Sequence, residues 1–404
     1  MQFDFESFVD RSGQDSIAAD PSFFYGPESG RHLKEGFDLI PMWVADMAFE
    51  TAPSVVNAMS KRLEHKTFGY FSPKKEYFDA IKTWQREEHG VTDLEDAQIG
   101  YENSVLGGLV SALRVMADPG EGVLLHAPTY IGFTGALENN GYRIVLSDLL
   151  PDDQGIFRMN FSDMEEKIQK EQIRVAILCS PHNPTGRVWE RTELEQAMEL
   201  FRKYNVSVIS DEIWSDLVLF GNKHIPTQQI SEDAKNRTVA LYAPTKTFNL
   251  AGLVGSYHIV YSEEMGKKLE KQASLSHYNQ MNVLSMHALL GAYCKEGKEW
   301  LVSLRQVLEQ NMEYACQKIG EDFPGVSVTR PQGTYMLFLD CTEYCKTHQK
   351  TLDELLNAGM EYGVLWQDGR PFHGTCHIRM NLALPHRKLK EALDRLDRFV
   401  FRPR

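Results

Sequence analysis

Nowhere in the 404-residue chain is there a run of about 18 apolar residues, so no membrane span is expected. Basic residues are in short supply: 43 Lys plus Arg stand against 56 Asp plus Glu, a formal charge of −13. That balance argues against nucleic acid or an anionic membrane as the principal partner. It leaves open small anionic ligands, which respond to a local pocket rather than to net charge. The opening stretch MQFDFESFVDRSGQDS is acidic and lacks a basic segment leading into an apolar one, so no secretory signal is expected. Cysteine is sparse, with six residues (179, 294, 316, 341, 345 and 376) scattered along the chain. Free thiols in a reducing cytoplasm fit that scatter better than a disulfide framework. Metal ligands are not clustered either. The nearest grouping is His373, Cys376 and His377 in HGTCH; it has no second ligand group nearby in sequence, and no metal site is expected. Internal repeats and low-complexity tracts are absent.

What is present is ordinary for a globular protein in bulk, with 42% apolar and 25% charged residues and enough length for two domains. A recurrent unit organises the first two thirds: a short β-branched run, a small loop, then a stretch of helical period. EGVLLHAPTY (121–130), IRVAILCSPHNPTG (173–186), NVSVISDEIW (205–214) and RTVALYAPTK (237–246) are strand-length apolar runs ending in polar or turn residues. Between the second and third, TELEQAMELFRKY places Leu194, Ala197, Leu200, Phe201 and Tyr204 at helical spacing, with a capping-box pattern at Thr192 and Glu195. Strands alternating with helices predict an α/β fold whose mainly parallel sheet is covered on both faces. The C-terminal third reads as a smaller α+β domain: SVTRPQGTYMLFLD, GVLWQ and CHIRMNLA are short strands split by a helix-like TLDELLNAGMEYG. The expected division is an N-terminal arm over residues 1–45 that joins the small domain, a large domain over 46–288 and a small domain over 289–404.

Ligands of such sheets bind at the carboxyl ends of the strands, and Tyr130, Asn183, Asp211 and Lys246 gather there. Lys246 closes an apolar run between two threonines, where a lysine shielded from water loses its proton readily and can condense with a carbonyl. A snorkelling loop lysine is the alternative. Asp211 reads either as a solvated cap or as a carboxylate held against a protonated pyridine nitrogen, which turns the ring into an electron sink. Asn183 reads as an Asn-Pro turn or as a donor to a ring oxygen. Tyr130 is a strand-end tyrosine or a ring that packs on a cofactor face. In ENSVLGGLVSALRVM, Ser104 is a candidate N-cap, with Val105 and Leu106 opening a helix whose N–H groups suit a phosphate and Leu109, Val110, Leu113 and Met116 lying on one face. Arg379, inside the apolar strand HIRMNLA, serves a structural ion pair or a substrate carboxylate.

SPHNPTG, SDEIW and APTKTFNLAG, in that order and spacing, resemble the fold-type I pyridoxal-phosphate enzymes, the aspartate aminotransferase superfamily. PMWVADMAF (41–49), HKTFGY (65–70), SPHNPTGRVW (180–189) and KTFNLAGL (246–253) are similar to the MalY/PatB branch, cystathionine β-lyase-type carbon–sulfur lyases, over roughly residues 20–390. The resemblance implies a large domain with a mainly parallel seven-stranded sheet, pyridoxal 5′-phosphate as cofactor, and a cytoplasmic homodimer with shared sites. It makes Lys246 the Schiff-base lysine and the acid/base at Cα. Asp211 would pair with the pyridine nitrogen, Asn183 with the 3′ oxygen, and Tyr130 would stack on the ring. Val105, Leu106 and Thr245 would hold the phosphate, joined by Tyr70 from a second subunit. Ala45, Tyr335 and Arg379 would line the substrate side. Two positions depart from the wider superfamily. Trp214 replaces a tyrosine that donates to the 3′ oxygen, and Val254 stands where aminotransferases carry a phosphate-binding arginine; the latter leans toward a lyase. The expected activity is β-elimination from sulfur amino acids. The alternatives are an aminotransferase, a racemase or other lyase, and a regulatory protein that uses the fold to bind a protein partner.

Overall fold

The computed structural model describes residues 3–26, 29–276 and 279–402. The chain forms two compact units, one of residues 51–183 and 187–302, the other of 1–50, 184–186 and 303–404. The helix Lys295–Asp322 runs through the division.

The first unit is built on seven strands: β1 (Ile99–Glu102), β2 (Gly122–Ala127), β3 (Arg143–Asp148), β4 (Val175–Cys179), β5 (Ser207–Asp211), β6 (Thr238–Tyr242) and β7 (Ser256–Ile259). Their spatial order is β1-β7-β6-β5-β4-β2-β3. β7 pairs antiparallel with β1 and β6 and every other pair is parallel, in keeping with the expected mainly parallel seven-stranded sheet. The four long apolar runs in the sequence became β2, β4, β5 and β6, all in the interior of the sheet. They are apolar throughout because both faces are covered. Val123 and Leu125 of β2 and Val175 and Ile177 of β4 pack with Leu109, Leu113, Phe133 and Leu137. On the opposite face Leu124, Ala176 and Leu178 pack with Met164, Ile168, Leu194, Ala197 and Phe201.

Helix boundaries follow local capping with one correction. Ser104 caps the helix Val105–Met116 by accepting the Gly107 N–H at 3.0 Å. The next expected cap, Thr192 with Glu195, is displaced by two residues: the helix Arg191–Lys203 is closed by a capping box of Glu190 and Glu193. Glu193 accepts the Glu190 N–H at 3.0 Å and also pairs with buried Arg187. A tertiary ion pair thus selects between two pairs of residues with the same i, i+3 spacing.

In the second unit β8 (Ser327–Val328), β9 (Met336–Asp340), β10 (Gln367–Asp368) and β11 (His377–Asn381) form an antiparallel sheet in the order β8-β9-β11-β10. TLDELLNAGMEYG supplies the helix Leu352–Glu361, closed by a Thr351–Glu354 capping box. The N-terminal segment joins this unit through Ile40–Pro41, which pairs in parallel with Val364–Leu365.

Candidate active site

The sheet order reverses between β2 and β4, so the loops leaving these strands diverge and open a crevice at the carboxyl edge. Beside that crevice β4, β5 and β6 end level with one another. Cys179 is opposite Asp211 and Asp211 opposite Leu241. Ser180 N–H donates to the Asp211 carbonyl, and Glu212 N–H to that of Leu241, each at 2.9 Å. The loops that follow carry Asn183, then Asp211 to Trp214, then Thr245 and Lys246.

Asp211 is 4% exposed, which removes the reading of a solvated cap. Burial pushes its pKa up to about 7, against the Ile213 N–H that donates to Oδ1 at 3.1 Å and the positive charge of Lys246. Lys246 is half-buried, with Nζ 5.9 Å from the centre of the Trp214 ring, itself buried. Its backbone turn is closed by Phe248 N–H to the Pro244 carbonyl and Leu250 N–H to the Thr245 carbonyl, each 2.9 Å. Thr51 Oγ1 donates to the Phe248 carbonyl at 2.6 Å. Asn183 and Thr245 are buried beside these groups.

Across the sheet face, the helix Val105–Met116 points its start toward the same edge. Ser104 occupies a strained φ of 118°, and Ser256 Oγ accepts its N–H at 3.2 Å. With Ser104 Oγ committed to Gly107, the N–H groups of Val105 and Leu106 have no acceptor among the described residues. They lie at the positive end of the helix dipole. Gly108 lets this helix sit close on the sheet, since a Cβ there would lie 2.7 Å from Leu241 Cδ2 and 2.9 Å from Glu102 Cγ.

Leu106 and Tyr130 converge on Gly132, where an added Cβ would stand 2.4 Å from Tyr130 Cε1 and 3.0 Å from Leu106 Cδ1. The Tyr130 ring is held edge-on against Phe133, centroids 5.3 Å apart. Gly132→Ala is therefore expected to swing that ring aside while leaving the core intact. Aromatic packing contributes about 0.5–1.5 kcal/mol, so a Tyr130 ring that stacks on the cofactor, as the family resemblance implies, predicts an affinity weakened roughly 2–10-fold with little change in Tm. Fluorescence titration with pyridoxal phosphate beside a thermal melt measures both, and unchanged affinity would separate Tyr130 from the cofactor.

Tyr70 stands apart, fully exposed on the loop between the helices Pro53–Glu64 and Lys75–His89. The remaining predicted residues belong to the second unit. Arg379 in β11 is buried; its guanidinium donates to the Trp43 carbonyl at 3.0 Å and to Gln367 Oε1, and lies 4.4 Å over the Phe372 ring. Tyr335 donates to the Ala45 carbonyl at 2.9 Å, and Asn381 Nδ2 to the Val44 carbonyl at 2.7 Å. PMWVADM is thereby latched along β11.

Sequence reasoning passed over a buried polar layer behind Asp211 and Lys246. Glu212 is fully buried and takes Tyr242 Oη at 2.6 Å, His224 Nε2 at 2.7 Å, Ser210 Oγ at 2.9 Å and Thr227 N–H at 3.0 Å. Burial alone would raise its pKa, but these partners hold it below the usual carboxylate value. Asp216, also buried, takes Trp84, His89 and Thr247. The only local signal was the carboxylate doublet Asp211–Glu212; the partners are dispersed through the sequence.

The sequence profile of class I and II aminotransferases matches residues 38–396. The chain is 33% identical to cystathionine β-lyase PatB of Bacillus subtilis over 362 residues, covering 89% of this chain and 92% of that one. It is 32% identical to the protein MalY of Escherichia coli over 403 residues, covering 97% of each. The fold superposes on the pyridoxal-phosphate-bound C–S lyase of Staphylococcus hominis with a TM-score of 0.89 at 28% identity, covering 100% and 99% of the two chains.

Proposed function

The chain belongs to the class I and II aminotransferase family, in its MalY/PatB branch, and from that premise we propose that it is a pyridoxal-phosphate-dependent carbon–sulfur β-lyase. Its substrates are L-cystathionine and cysteine-type amino acids with sulfur on Cβ. The net reaction consumes one water and yields pyruvate, ammonia and a thiol.

Asp211 carries this reading. A carboxylate buried at a strand end, with its pKa pushed up to about 7, is costly to keep without a partner. A ring N–H is the partner that would let it stay ionised. The unfilled N–H groups of Val105 and Leu106 suit a phosphate dianion in the same way. The residues present therefore fit pyridoxal phosphate. When bound, it supplies a carbonyl that condenses with amines and a ring that accepts the electron pair left at Cα.

The protein's own part is binding, orientation and proton transfer. Lys246 would hold the cofactor, and its amine is the group placed to take the Cα proton of the substrate. Asp211 would hold a proton on the ring nitrogen, and the Asn183 amide would donate to the ring oxygen. Trp214 and Tyr130 would bound the ring, and Thr245 would join Val105 and Leu106 in holding the phosphate. Arg379 grips the substrate α-carboxylate bidentately, with Tyr335 and Ala45 shaping the wall beside it.

The full exposure of Tyr70 supports a homodimer in which this ring reaches the phosphate of the other copy's site. Six free cysteines support a cytoplasmic setting. No helix among the described residues is long and apolar enough to cross a membrane. A regulatory protein partner, as the branch resemblance implies, would use the same fold without the chemistry.

Purified protein with cofactor and L-cystathionine, in the absence of any keto acid, should release pyruvate and free thiol in equal amounts. Turnover that begins only when 2-oxoglutarate is added would identify an aminotransferase instead.

A further inference from the structure

Asp216 is tied to Thr247, the residue after Lys246. Its carboxylate is 4% exposed at the side chain. Oδ1 accepts Trp84 Nε1–H and His89 Nε2–H, both at 2.9 Å, and Oδ2 accepts the Thr247 hydroxyl at 2.8 Å. Trp84 and His89 both belong to the last turns of the helix Lys75–His89, and the His89 side chain is 2% exposed. The Trp84 ring is clamped in turn, stacked on Tyr293 at 4.5 Å and edge-on to Phe248 at 5.9 Å. Phe248, fully buried, stacks on Trp300 at 5.5 Å. Thr247 itself is fully buried. Beside the Thr51 hydroxyl on the Phe248 carbonyl, the turn that presents Lys246 thus has a side-chain tether at Thr247, and that tether ends on the helix Lys75–His89.

We infer that Asp216 is a positioning residue for Lys246: held by Trp84 and His89, it receives the Thr247 hydroxyl and fixes the turn from which the lysine amine projects. The hydrogen bonds have the geometry the role needs. Oδ1 is anchored to the helix and Oδ2 to the turn, so one carboxylate couples the two without freedom to rotate. A loop tethered only through its backbone could let the lysine sweep several rotamers, and an error of about 1 Å in a reacting group costs on the order of 10²-fold. The inference rests on the reading of Lys246 as the residue that binds the cofactor and takes the Cα proton.

The test uses full-length protein loaded with pyridoxal phosphate. Borohydride reduction followed by peptide mass spectrometry reports covalent attachment at Lys246. L-Alanine, which has no leaving group on Cβ, reports proton removal alone through exchange of its Cα hydrogen in heavy water. Thr247→Val deletes the hydroxyl at nearly constant volume, and Thr247→Ser keeps it; Asp216→Asn alters the acceptor itself. Thr247→Val should lower kcat for exchange roughly 10–100-fold with KM within about twofold. Thr247→Ser should return exchange close to wild type, and Asp216→Asn should follow Thr247→Val if it folds. Exchange in Thr247→Val as fast as wild type, or Thr247→Ser as slow as Thr247→Val, would overturn the inference. A wild-type protein with no label at Lys246 would overturn the cofactor reading itself, and this inference with it.

Discussion

Lys246→Ala is expected to lower β-elimination by about 10⁴-fold or more while leaving the fold and cofactor binding in place. Proton transfer by a positioned amine is worth about 10²–10⁴-fold on its own, and in the proposed function the same amine would also be the group that the substrate amine displaces from the cofactor carbonyl. A 10⁴-fold loss corresponds to about 5.5 kcal/mol of transition-state stabilisation. The turn should survive the truncation because its closure does not use the lysine side chain. Phe248 and Leu250 N–H groups bond back to Pro244 and Thr245, and Thr51 and Asp216 hold Phe248 and Thr247. Nζ lies 5.9 Å from the centre of the Trp214 ring, and its charge acts on Asp211. Steady-state assay of pyruvate release, a thermal melt and a cofactor titration distinguish loss of chemistry from loss of structure. A small primary amine added to the medium should restore part of the rate. Activity within about tenfold of wild type would remove Lys246 from the mechanism. A regulatory partner, if one binds this fold, should still bind the variant, because the change leaves the surface unaltered.

How much of this could be read from sequence depends on where each contact lies. β2, β4, β5 and β6 were legible because strands buried on both faces are continuous apolar runs that end at turns. The other three were not singled out. Ile99–Glu102 and Arg143–Asp148 form the two edges of the sheet, and Ser256–Ile259 is a four-residue antiparallel strand with a half-buried histidine. The strand ends pointed to Tyr130, Asn183, Asp211 and Lys246 because a parallel sheet concentrates ligand contacts there. Beyond them the signal failed. Asp216 and its partners Trp84 and His89 are separated by 132 and 127 residues, and no local pattern announces a bond across such a distance. The choice of Glu190 over Thr192 as a helix cap likewise depended on Arg187, whose pairing only the folded chain reveals.

Asp211→Asn should trade activity for stability, and the sign of the stability change follows from its pKa. In the cofactor-free fold the carboxyl titrates near 7, whereas a free aspartate titrates at 3.8. Below about pH 4 it is protonated folded or unfolded, and its ionisation has no effect on stability. Between about pH 4 and 7 the folded state holds more protons than the unfolded one, so stability falls as pH rises. Above 7 the loss levels off at about 4 kcal/mol, burial of the anion being its main cause. Asparagine has the same shape and can still accept the Ile213 N–H, but it carries no charge to bury. Melts of cofactor-free protein between pH 5 and 8 should therefore show a falling Tm in wild type and a flatter profile in Asp211→Asn, which becomes the more stable of the two at pH 8. The loaded enzyme should show the opposite preference. With a protonated ring nitrogen as its partner the carboxylate's charge is neutralised where it stands, so wild type gains more from cofactor than the variant does. Without that charge the ring nitrogen loses its proton and the electron sink is weakened. The expected fall in kcat is about 10²–10³-fold, as for removal of other preorganised electrostatic groups. A variant both as active as wild type and no more stable at pH 8 would mean that Asp211 is neither strained in the empty fold nor used in the loaded one. A buried aspartate at a strand end would then be a structural cap after all.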